Sequence, residues 1–170
     1  MNYDWDFCEP GIELADLPAK LFLVTMDKKF SFDFATAFSG HIVSERFMSV
    51  FKQLTKTEWQ VAALEIWSPA GKRLHTEMAY YFIKQKDTKH EKTAIDLERS
   101  RIEYRKTGEI KSIRSLVIRD HIALDFFVTN EVTLERCIIL SEQVATDYGK
   151  LKLSGVELVS TTAIGTITLA

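Results

Sequence analysis

Glycine, proline and cysteine are all scarce in this chain of 170 residues, and each scarcity removes a class of answer. The seven glycines never stand as Gly-x-Gly, so neither a dinucleotide fingerprint nor a phosphate-binding loop can be placed. Two cysteines, Cys8 and Cys137, are too few for a disulfide framework, which points to a reducing compartment. The histidines, His41, His75, His90 and His121, stand too far apart for a metal-ligand spacing, so neither a metal nor a cofactor is expected. No apolar run approaches the roughly 18 residues needed to cross a bilayer. The acidic start, Met1-Asn2-Tyr3-Asp4-Trp5-Asp6, lacks the basic and apolar regions of a signal peptide. The expectation is a cytoplasmic protein that makes no use of a membrane.

An excess of one charge is also missing. With 22 Lys and Arg against 24 Asp and Glu, the net charge of -2 argues against binding nucleic acid through overall charge, although a local patch could still do so. What the chain has instead is aromatic area. Eleven Phe, five Tyr and three Trp supply enough burial to offset chain entropy, and the length suits a single domain over residues 1–170.

Residues 1–20 set Asp4, Asp6, Glu9, Glu13 and Asp16 against one cation, Lys20, with Tyr3, Trp5 and Phe7 interleaved. Pro10-Gly11 and Pro18 break regular structure there, leaving an acidic N-terminal arm. Leu21 to Val24 is a short apolar run, and Phe30 to Phe34 alternates as a half-buried strand does. Phe47, Val50, Phe51 and Leu54 recur at helical spacing behind Ser44, which can cap a helix reaching to about Lys56. Strand character returns over Trp59 to Trp67, stopped by Pro69-Ala70-Gly71, and again over Met78 to Gln85.

The stretch from Tyr80 to Phe127 organises the rest. It holds strand-like runs at Tyr80 to Lys84, Ala94 to Ser100, Ile113 to Arg119 and Leu124 to Phe127. Between Lys84 and Arg119 stand eleven of the 22 cations with six acids among them. Arg99, Arg101, Glu103 and Arg105 occupy every second position, so a strand would place all four on one face. Thr107-Gly108-Glu109 reads as a turn. Further on, Phe126 to Val128 and Cys137 to Leu140 are short apolar runs. Ser141 then heads a second helix with Val144, Ala145, Tyr148 and Leu151 on one face. Val156 to Val159 and Ile164 to Leu169 read as closing strands, the latter apolar enough that it must be paired or covered.

Candidate chemistry is thin. Asp120-His121 invites a hydrolase with Cys137 or a serine as nucleophile, yet no Gly-x-Ser-x-Gly elbow exists. Asp96 and Glu98 would share a strand face as paired carboxylates, but Lys92, Arg99 and Arg101 favour ordinary ion pairing. The basic face of residues 84–119 lacks clear stacking aromatics and reads as a solvated, mixed-charge surface.

Several segments taken in order resemble the immunity proteins of bacterial polymorphic-toxin systems, in the mostly-β family typified by a myxobacterial immunity domain. They are Val43-Ser44-Glu45-Arg46, Tyr80-Tyr81, Ile95-Asp96 with Ser100, and Asp125-Phe126-Phe127, followed by Ile139-Leu140-Ser141-Glu142-Gln143-Val144 and Leu153-Ser154-Gly155-Val156. The resemblance implies a cytoplasmic antidote, not an enzyme, that binds one cognate toxin domain and occludes its active site. It carries no catalytic residues over. On charge pattern alone, the toxin contacts are expected at Asp4, Trp5 and Asp6 for a basic toxin, or at Arg99, Arg101 and Arg105 for an acidic one. The rival readings are a nucleic-acid-binding module using the face of residues 84–119, and a small hydrolase. For fold, the expectation is a single α+β domain, a largely antiparallel, curved sheet of about eight to ten strands with two main helices, acting as monomer or dimer.

Overall fold

The computed structural model describes residues 16–27, 29–38, 40–53, 59–86, 94–108, 110–120, 125–128 and 137–161. Two compact units divide the chain: Met1–Lys86 with Thr146–Val156, and Asp87–Ala145 with Glu157–Ala170.

In the first unit, β1 (Lys20–Val24), β2 (Phe34–Ala37), β3 (Gly40–Ser44), β4 (Trp59–Trp67) and β5 (Tyr80–Gln85) form one sheet in the order β1-β4-β5-β3-β2. β1 runs parallel to β4, and every other neighbouring pair is antiparallel. β3 leads straight into α1 (Glu45–Phe51), where the Ser44 hydroxyl accepts from the Phe47 amide and caps the first turn. Alternation puts Phe34, His41, Val43, Val61 and Ile83 on one side of the sheet. α1 and the end of α2 (Glu142–Leu151) pack there, with Phe47 lying 5.5 Å from the Phe34 ring and 4.7 Å from that of Tyr148. The opposite side buries Ile42, Ile66, Tyr80 and Phe82, which Phe30, Phe32, Leu74 and Met78 cover.

The second unit contains two antiparallel pairs, β6 (Arg101–Tyr104) with β7 (Ile110–Ser115) and β8 (Phe126–Val128) with β9 (Ile138–Leu140). Ala94, Ile95, Ile113, Leu116, Phe127 and Ile139 make its core. Ser141 caps α2, accepting weakly from the Val144 amide at 3.5 Å.

The α+β character and both helices are as expected, and the strands are mostly antiparallel. The single sheet is not: the nine strands among the described residues fall into three sheets, the largest of them mixed. Phe30 to Asp33 is not strand, because Phe30 and Phe32 pack against Tyr80, edge-to-face at 4.6 Å and tilted at 5.6 Å, and the Asp33 amide bonds to Ser154 instead. Ala94 to Ser100 is a turn with one bridge, Ile95 to Ile118, because Asp96 accepts from the Arg99 amide. Val156 to Val159 is irregular, and Ile164 to Leu169 lies outside the described residues. α1 ends at Phe51, with Lys52 as its C-cap.

Gly155 adopts φ +77, and a Cβ there would stand 2.2 Å from the Phe34 carbonyl oxygen. Gly108, at φ +87, has open space around it. Gly155→Ala is therefore expected to cost more than about 2 kcal/mol, and Gly108→Ala about 1 kcal/mol, in urea unfolding. Equal losses would show that the backbone conformation, not the close approach, sets the cost.

Candidate interaction surface

Asp33 has only 1% of its surface exposed and sits where the first unit's two chain segments meet. Its Oδ1 accepts from the Ser44 hydroxyl at 2.6 Å. Its Oδ2 accepts from the Ser154 amide at 2.9 Å, the Ser154 hydroxyl at 3.1 Å and Arg46 Nη1 at 3.2 Å. Arg46 Nη2 also donates to the Leu151 carbonyl at the end of α2. Burial alone would raise the Asp33 carboxyl, but these donors together hold it below its ordinary value of 3.8. The cluster is saturated and closed to substrate, so its role is to hold the fold.

Residues singled out for chemistry are scattered or occupied. His41 is buried in β3, stacked on Phe34 at 5.1 Å, and burial lowers its pKa to about 4. Burial pushes the half-buried Cys137 thiol up, which suppresses the thiolate a nucleophile needs. Asp120 pairs with Arg99 at 3.3 Å, while His121 lies outside the described residues. Asp96 and Glu98 occupy a turn rather than a shared strand face. Among the described residues, no group of three His, Cys, Asp or Glu could hold a metal, and no helix is long and apolar enough to cross a membrane.

The arginine face changes shape as well. β6 spans only Arg101 to Tyr104 and its register shifts twice, so Arg99 falls in the preceding turn and Arg105 beyond the strand. Acids neutralise much of the charge there: Asp96 and Asp120 take Arg99, and Glu103 takes Arg114 and Lys111. Asp4, Trp5 and Asp6 lie outside the described residues. The arm's last acid, Asp16, pairs with Lys86 at 2.9 Å and accepts from Gln60.

A surface that charge counting missed stands on β1. Its outward row carries Lys20, Phe22 and Val24, with Phe22 62% and Val24 61% exposed and Met26 exposed beyond them. These residues continue, with exposed Val61, the same sheet side that α1 covers elsewhere. Trp67 meets Phe22 edge-to-face at 6.3 Å and donates to Glu65, whose carboxylate also takes Lys20 at 2.8 Å and Arg73 at 3.6 Å. Beside β1, a hollow of about 60 Å³ is lined by Leu21, Phe22, Leu23, Leu64, Phe82 and Phe38. The apolar run from Leu21 to Val24 is visible in the sequence, but only the sheet order shows that it forms an edge.

A family model described as immunity protein 43 matches residues 1–166. The chain belongs to the immunity protein 43 family. Membership supports the antitoxin class expected from the sequence and implies a cognate toxin protein as partner. No curated protein matches the chain.

Two acid-sensitive contributions follow. Folded His41 takes a proton only near pH 4 whereas the unfolded chain takes it near 6.5, so stability should fall by about 3 kcal/mol as pH drops between those values. His41→Gln should lack that limb in unfolding curves measured from pH 7 to 4. The Asp33 contribution is complete above its ordinary value of 3.8 and disappears as pH falls below it. Asp33→Asn should cost about 3 kcal/mol at pH 7, and Arg46→Gln, at a half-exposed partner, about 1 kcal/mol or less. Equal losses from the two variants would make the ion pair, not the hydroxyl and amide donors, the source of the stability.

Proposed function

We infer that this protein is a cytoplasmic antidote of a polymorphic-toxin system, acting as one immunity domain that binds a cognate toxin domain and covers its active site. The family match over residues 1–166 carries the reading. A fixed scaffold with an uncovered, partly apolar surface suits it, since inhibition by occlusion asks for complementarity rather than chemistry. The raised Cys137 thiol and the Asp120 carboxylate paired with Arg99 weigh against the hydrolase reading. The acid-balanced cations around β6 and β7 weigh against a nucleic-acid module. Protection of the producing cell during competition between bacteria is the biological setting that this activity fits.

Co-expression with the toxin-like domain encoded beside its gene should restore host growth and yield a complex that co-purifies. Failure of both would remove the antidote reading. Joint replacement of Asp4 and Asp6 by Asn should slow association if the toxin is basic, and Arg101→Glu should do so if it is acidic.

A further inference from the structure

We propose that the toxin docks on the open edge of β1 by adding an extended strand to the sheet, with Phe38 and the hollow beside it taking an apolar side chain. This rests on the antidote reading and names the surface that serves it. Four observations converge on the edge.

The first is backbone geometry. The Ala63 amide bonds to the Ala19 carbonyl and the Thr25 amide to the Trp67 carbonyl, which brackets the parallel ladder. Alternate residues of a strand bond to the same side, so Leu21 and Leu23 face β4. The amides and carbonyls of Lys20, Phe22 and Val24 therefore point away from the sheet, with no partner among the described residues.

The second is side-chain exposure. Folded proteins blunt such edges with lysine, proline or a bulge, and here only Lys20 does so while Phe22 and Val24 stand exposed beside it. A free edge with that row is suited to strand addition, in which main-chain bonds give affinity and pockets for alternate side chains give specificity.

The third is Phe38. It opens the turn between paired Ala37 and Gly40, at φ +54, where glycine or asparagine is the ordinary choice. The residue is 66% exposed, its ring stands edge-to-face to Phe82 at 6.5 Å, and it lines the hollow beside β1. A bulky residue held in a disfavoured conformation with its side chain in solvent marks a functional position.

The fourth is charge. Lys20 and Arg73 share one carboxylate, Glu65, so this cluster carries one positive charge in excess. The partner segment is thus an extended stretch of alternating apolar residues with a carboxylate opposite Lys20.

The test uses the full chain and the toxin domain encoded beside its gene. Val24→Pro removes an amide directed at the free edge and no bond to β4. It should weaken binding by at least about tenfold. Phe38→Asn should weaken it comparably while leaving thermal stability unchanged or higher, because it relaxes the turn. Lys20→Gln should slow association at low ionic strength, and an unchanged rate would remove the acidic residue from the partner's description. If the unaltered protein binds the toxin and both Val24→Pro and Phe38→Asn bind equally well, the edge is not the docking site and the antidote reading stands. If the unaltered protein binds no toxin, both readings fall together. A dimer in light scattering that Val24→Pro dissociates, with toxin binding intact, would give the edge to a second copy of this chain and overturn the proposal.

Discussion

The first unit depends on one buried carboxylate. Moving a charge out of water costs several kcal/mol, and a single ion pair rarely offsets that. Asp33 meets the cost with four donors, of which the Ser44 hydroxyl and the Ser154 amide and hydroxyl are held by backbone that has nowhere else to go. The half-exposed Arg46 adds the least, since solvent screens it. Through this cluster the cap of α1, the start of β2 and the chain after α2 are fixed together across a separation of 121 residues. The seating of Tyr148 on Phe47, and so the covering of one sheet face, follows from the same closure.

That closure covers only part of the sheet. Over β3 the helix-facing side is buried, with Ile83 of β5 beside it, whereas Phe22, Val24 and Val61 on β1 and β4 stay exposed on the same side. An edge strand left without a partner among the described residues suits a protein whose work is to fit another, because a partner strand added to a formed sheet loses little to reorganisation. The Phe38 turn strengthens the point. Its strain persists only because the surrounding pairs, Ala37 with Gly40 and Thr36 with His41, hold the hairpin in place.

Local signals were legible where local physics decides. The limits of β4 follow from its aromatic run and the Pro69 to Gly71 stop, and both serine caps read correctly because a cap involves only its own helix turn. β3 left no trace, since Gly40 to Ser44 is buried on both sides and shows no alternation. Phe30 to Phe34 misled for the opposite reason. Its alternation is real, but Phe30 and Phe32 serve aromatic packing on Tyr80 while the backbone is claimed by a segment far along the chain. The single face expected of Arg99, Arg101 and Arg105 depended on a longer, regular strand than β6 provides.

The motifs that made the family recognisable turn out to be parts of the scaffold. Ser44 and Arg46 reach Asp33 from one motif, and Ser154 and Gly155 close on Asp33 and Phe34 from another. Asp96 and Ser100 tie a turn to Val117, and Ser141 caps α2. None of these contacts presents a surface to a partner. Phe22, Val24 and Phe38 belong to none of the motifs, and they are exposed apolar side chains. A sequence can therefore declare its family through the residues that fold it while leaving open the residues that choose its toxin. An antidote scaffold requires that separation, because the surface must be free to change with the toxin while the Asp33 closure must not.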